Sequence, residues 1–171
     1  MPQLNVEIGV VVAREQQTGP WGGLVWRVAG VLPAAPPVQA GTPLGRTTLG
    51  DTFYAGPAGL LFHSGETEHY RDNLVSGAPS IWIALKPTAN GCEVAMATVD
   101  PYEAEGLTEG FDDLIEAVAM PESIAEQLAA FVAEHHVERP FYKRKRDKLD
   151  PRMGFRRAPQ AGARERDEDD S

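Results

Sequence analysis

The chain has 171 residues, 42% of them hydrophobic and 24% charged, with a formal net charge of −9. That length suits one domain with a single respectable core, and no run approaches the roughly 20 apolar residues of a membrane span. One cysteine, Cys92, excludes an internal disulfide framework and any all-cysteine metal site built from this chain alone.

The strand pattern begins at once. Asn5 to Glu15 (NVEIGVVVARE) is β-branched and reads as a buried strand. No basic stretch precedes its apolar run, so no export signal is expected and the compartment is read as cytoplasmic. Trp21 to Leu32 (WGGLVWRVAGVL) reads as a second strand, bent or bulged at its glycines. PAAPPVQAGTP is a loop, because its prolines have no N–H to donate. Asp51 to His63 (DTFYAGPAGLLFH) predicts two short strands around AGPAG, in a hairpin.

Glu66 to Leu74 (ETEHYRDNL) fits a strand or a short helix equally, and periodicity does not choose. Ser80 to Lys86 and Cys92 to Val99 predict a hairpin across PTANG. Cys92 therefore reads as a buried, inert thiol. One helical turn is expected after Pro101, and Leu114 to Met120 predicts a last strand. The one clear helix runs from Pro121 to His135. Proline suits its first turn, and Ile124, Leu128, Phe131 and Val132 share one face. His135 and His136 fall in its last turn, where the helix dipole favours a cation, and Pro140 ends it.

These elements predict a mainly β (α+β) fold: an antiparallel β-barrel or sandwich with one C-terminal helix and a disordered charged tail. Residues 1–148 form the expected domain, ending in the helix and a basic arm, and residues 149–171 the tail.

Charge is unevenly placed along the chain. Residues 1–138 carry 5 Lys+Arg against 18 Asp+Glu, residues 139–157 carry 9 against 2, and residues 158–171 carry 2 against 5. An acidic body with a cationic arm suggests an interaction protein. The arm is Phe141, Tyr142, Lys143, Arg144, Lys145 and Arg146. With Trp21, His135 and His136 it forms the expected partner-binding set. Nucleic acid is an unfavourable partner, because the acidic body would repel phosphate.

The signatures of dinucleotide binding, the P-loop, the nucleophile elbow and HExxH zinc sites are absent. No catalytic residue and no cofactor is therefore expected. His63, Glu66, His69 and Tyr70, within HSGETEHY, are the candidate pocket or metal ligands, since nitrogen and oxygen donors are what zinc and iron take. Glu66, Glu68, Glu103 and Glu105 are candidate paired carboxylates.

Several words of the chain resemble the proteobacterial domain of unknown function DUF3305. They are VVVARE, the paired Trp21 and Trp26 leading into VLPAAPP, LLFHSGETEHYRDNL, PSIWIALKP, TVDPYEAEG, VAMPES and FVAEHHVERPFYKRKRD. Ser64 and Gly65 stand where a basic residue is expected after the histidine. The resemblance spans roughly Val6 to Asp147 and implies no characterised activity. It does imply a genomic setting beside molybdenum-dependent formate dehydrogenase genes and their maturation factors. The expectation that follows is a non-catalytic accessory or docking protein for such a dehydrogenase, with a dehydrogenase subunit or maturation factor as partner and no membrane role. Two alternatives remain: a small metal-dependent enzyme using the His63/His69 and His135/His136 clusters, and a regulatory β-barrel with a small ligand in its mouth.

Overall fold

In the first strand of the computed structural model, β1 (Gln3–Gln16), buried Val6, Ile8, Val10 and Val12 alternate with exposed Asn5 and Glu7. This is the period of two that puts one face of a strand in a core. The structure describes residues 1–20, 22–89, 91–108 and 114–137. Trp21 and residues 138–171, which include the basic arm and the tail, lie outside them.

β2 (Leu24–Leu32), β3 (Pro43–Thr47) and β4 (Gly50–His63) join β1 in an antiparallel sheet of order β2-β1-β4-β3. The register of β1 against β2 shifts between Val11 and Val12, opposite Gly30 and Val28, so a bulge falls where the glycine predicts one. A second sheet has the order β6-β5-β7, from β5 (Ser80–Thr88), β6 (Gly91–Thr98) and β7 (Leu114–Ala119). Its β5–β6 hairpin and its last strand match the sequence reading.

Two expectations are corrected. Asp51 to His63 is not a hairpin but most of one continuous strand. Val10 pairs with Gly56 and Val11 with Tyr54, which leaves Ala55 as an extra residue. Gly56 takes φ +123°, a conformation glycine adopts readily, so AGPAG absorbs a bulge where a turn was expected. Second, β3 was not foreseen. All its residues are exposed, so it carries no alternation to read.

The ambiguous segment is helical: a 3-10 turn at Ser64–Glu66 leads into α1 (Thr67–Val75). α2 (Pro101–Thr108) extends the single turn expected there, and α3 (Glu122–His135) is the predicted long helix, entered through Pro121. Among the described residues three α-helices are thus present, of which α3 alone was expected as a full helix without an alternative.

The core lies between the sheets. Ile8, Val10, Leu60 and Phe62 meet Ile81, Ile83, Leu85 and Val99, and Ile124, Leu128 and Phe131 of α3 cover one end. Phe62, Tyr70 and Phe131 form an aromatic trio with centroids 5.7 to 6.5 Å apart. The sheets are not closed into a barrel. At one seam β2 neighbours β7, and Glu116 takes the place of a backbone ladder. Its Oε2 accepts the Val28 N–H at 2.6 Å, and its Oε1 accepts from Arg27 Nε at 3.1 Å. At the other seam β4 neighbours β6. Residues 1–137 form one compact unit, and no helix among the described residues is long and apolar enough to cross a membrane.

Candidate functional site

The β4–β6 seam opens into a groove of about 790 Å³. Pro57, Gly59 and Leu61 of β4 and Val94 to Thr98 of β6 form its walls, and α1 and α2 close one end. All four candidate pocket residues, His63, Glu66, His69 and Tyr70, line this groove, together with Asp100, Tyr102 and Glu103.

Local chemistry holds each of them. The His63 Nδ1 accepts the Gly65 N–H at 3.0 Å and caps the 3-10 turn, which leaves the ring proton on Nε2. The buried Tyr70 hydroxyl accepts the His63 N–H at 2.9 Å. Asn73, one turn further along α1, is also buried. Its Nδ2 donates to the Ser80 and Val99 carbonyls at 2.8 and 2.9 Å, and its Oδ1 accepts the Ser80 N–H at 3.0 Å. One side chain thereby fixes α1 to both strands of the hairpin.

Asp100 opens α2. Its Oδ1 accepts the Tyr102 and Glu103 N–H groups at 2.9 and 3.3 Å, as an N-cap does. Its Oδ2 lies 2.9 Å from His69 Nδ1, and Glu66 Oε2 lies at the same distance from that nitrogen. A ring nitrogen carries one proton, and the hydrogen-bond geometry directs it to Asp100, so Glu66 acts through its charge. Burial opposes a charged His69, but the Asp100 hydrogen bond and the charges of Asp100, Glu66 and Glu68 outweigh it and raise the pKa above 6.5. The Tyr70 phenol is also raised, chiefly by burial; its hydrogen bond with His63 opposes this, and the nearby Asp100, Glu66 and Glu103 add to it. The Tyr102 ring lies 4.4 Å from that of His69 and donates its hydroxyl proton to Asp72 at 3.0 Å.

Glu66, His69 and Asp100 offer three ligand atoms within 4.8 Å of one another. Such a donor set suits a divalent cation of the zinc or iron type. Among the lining residues only His63 and His69 are able to carry positive charge, against three carboxylates.

His135 and His136 do not line the groove. The His135 ring packs 4.5 Å from Phe131, and His136 Nδ1 lies 3.0 Å from Thr67 Oγ1. Trp21, Phe141, Tyr142, Lys143, Arg144, Lys145 and Arg146 lie outside the described residues. Cys92 is half-buried on β6, and burial pushes its thiol pKa up, away from the reactive thiolate. The sequence reading missed Asp100 and Tyr102. The signal was present in Asp100-Pro101-Tyr102-Glu103, an N-cap aspartate followed by proline and an acidic third position.

The family model described as protein of unknown function (DUF3305) matches residues 7–145. No curated protein and no solved structure matches the chain.

Proposed function

The chain belongs to the DUF3305 family, and from that premise we propose that it is a non-catalytic, cytoplasmic docking protein that holds a partner chain in the β4–β6 groove. The observation that carries this reading is the groove itself. It joins an aliphatic wall with exposed Leu61 to an end lined by three carboxylates. Few side chains there are poised for chemistry, since the histidines and most of the carboxylates are already engaged in caps and helix anchoring. The setting implied by the family resemblance makes a molybdenum-dependent formate dehydrogenase subunit, or one of its maturation factors, the first partner to test.

The test is co-purification from a strain expressing the dehydrogenase, with Leu61→Asp as the groove variant. Leu61 is 53% exposed, so the substitution spares the core. Capture by the unaltered chain and loss with Leu61→Asp supports the reading; equal capture by both, or none by either, overturns it. A third chain with Lys143, Arg144, Lys145 and Arg146 replaced by Ser separates a contribution of the basic arm, which weakens with salt if it docks an acidic surface.

A second reading, a small metal-dependent enzyme, is favoured by the convergence of Glu66, His69 and Asp100. One tightly held metal per chain in untagged protein, lost on His69→Ala, would promote it over docking.

A further inference from the structure

We propose that Glu66, His69 and Asp100 together ligate an exchangeable divalent cation of the manganese, iron or zinc type, octahedrally, with its remaining positions open to the groove. The site needs neither a partner in the groove nor an enzymatic role for the protein. It gives the metal alternative above a ligand set and a coordination, and it stands or falls apart from the docking reading.

Two segments distant in the chain supply the donors. Glu66 closes the 3-10 turn and His69 lies in the first turn of α1, three residues on. Residues at that spacing share one helix face. It is the Glu-x-x-His spacing by which helices present a carboxylate and an imidazole to iron or manganese in bundle proteins. Asp100 reaches the same His69 nitrogen from 31 positions away. Unlike a surface carboxylate it is buried, only 7% exposed. The Tyr102 and Glu103 N–H groups hold its Oδ1, which aims Oδ2 at the site, as an outer shell of hydrogen bonds orients a ligand.

The contact with Glu66 points to a cation. His69 Nδ1 lies 2.9 Å from both Glu66 Oε2 and Asp100 Oδ2. Its one proton serves Asp100, which leaves the Glu66 oxygen at hydrogen-bond distance with no proton between. A metal ion in the proton's place serves all three atoms. The imidazole then exchanges its proton for the metal and joins the carboxylates as a ligand, so their engagement with His69 is no obstacle. With bonds of about 2.0–2.2 Å, adjacent ligand atoms lie about 3 Å apart in an octahedron and about 3.4 Å apart in a tetrahedron. Both distances from Nδ1 fit the octahedron.

Donor type and exposure decide which ion and how firmly it is held. One imidazole with two carboxylates suits manganese, iron and zinc, and it lacks the thiolates of a closed zinc site. The Glu66 and His69 side chains are 46% and 35% exposed, so solvent reaches the ion from the groove. Water completes the coordination there, and the ion exchanges. No lysine or arginine among the lining residues competes for the carboxylates. Because the ligands join the start of α1 to the start of α2, the ion stabilises the folded chain by mass action.

The full-length protein, without a His tag, is dialysed against chelator and titrated with Mn(II) at physiological salt. Loss of the free ion's paramagnetic resonance signal reads binding, and thermal melts with added Mn(II) or Zn(II) read stabilisation. The result expected is one ion per chain, a rise in Tm with either ion, and binding weaker by about ten-fold or more in Glu66→Gln and in His69→Gln. Glu103→Gln is the control, since that carboxylate lines the groove but accepts from Thr98 Oγ1 instead. Its affinity is expected to stay within about two-fold of the parent. Glu66→Gln alters a half-exposed side chain, and its metal-free melt is expected to lie close to that of the parent, which separates a lost ligand from a lost fold. No binding at millimolar Mn(II) or Zn(II) overturns the site. An equal loss with Glu103→Gln shows diffuse attraction to an acidic groove and overturns ligation. One metal per chain that survives the chelator overturns exchange and promotes the enzyme reading. Failure on any of these counts leaves docking standing, because Leu61→Asp tests that separately.

Discussion

The Tyr70 hydroxyl accepts the backbone N–H of His63 at 2.9 Å and directs its own proton to the Leu61 carbonyl at 3.4 Å. A side chain from α1 thus occupies the position of a neighbouring strand and ends the free edge of β4. The same ring packs against Phe62 and Phe131, so the groove end and the core share one residue.

Tyr70→Phe keeps the ring and removes the hydroxyl. Two backbone groups of β4 lose their partner, a loss of about 1–3 kcal/mol for buried polar groups. Urea unfolding measures it. A change under about 0.5 kcal/mol would mean that water replaces the hydroxyl and that Tyr70 does not terminate the edge.

Phe131 joins α3 to that trio and is 5% exposed. Phe131→Ala is expected to cost ~3–5 kcal/mol, the range for deleting a buried aromatic ring. A loss well below one would show that α3 is not docked on the sheets in solution.

What was legible in the sequence was whatever hydrophobic spacing controls. β1, the β5–β6 hairpin, β7 and α3 all bury apolar residues at the period of their element, and each was read correctly. α1 was not, because its buried face is Thr67, Tyr70 and Asn73, two of them polar. Hydropathy cannot register a helix held by hydrogen bonds to strands that are distant in the chain. β4 misled for a different reason. AGPAG carries every local mark of a turn, yet pairing with β1 residues Glu7 to Val10, far back in the chain, places it in a ladder that tolerates one bulge. The site was half legible: the clustering of HSGETEHY flagged the α1 side of the groove. Asp100, 31 positions from His69, joins it only through the fold.

Glu116 tests the closed seam. Val28 is buried, and its N–H has Glu116 Oε2 as its partner at 2.6 Å. Glu116→Ala leaves that donor unsatisfied and is expected to cost about 1–3 kcal/mol. Glu116→Gln retains an acceptor and should cost less. The Arg27 pair adds little, since that side chain is half exposed and exposed pairs contribute about 0–1 kcal/mol. Equal effects of Ala and Gln would instead assign the stabilisation to charge.

His69 gives the pH dependence. Its pKa in the folded chain is raised above the 6.5 of the free side chain, because the Asp100 hydrogen bond and the surrounding carboxylates outweigh burial. A base whose folded pKa is raised binds its proton more tightly when folded, so protonation stabilises the native state. That contribution is fully present below about pH 6.5 and is lost as pH rises through the folded value. His69→Gln keeps a hydrogen-bond donor but cannot take the charge. The stability gap between parent and variant should therefore be widest near pH 5.5, still above the ordinary carboxylate range, and should shrink by pH 8.5. Because the ring is about one-third exposed, added salt should narrow the gap at the lower pH. Thermal melts of both proteins at the two pH values measure it. A gap that is constant, or that grows with pH, would mean that His69 is neutral in the fold and that the carboxylates of the groove do not act on a cation there.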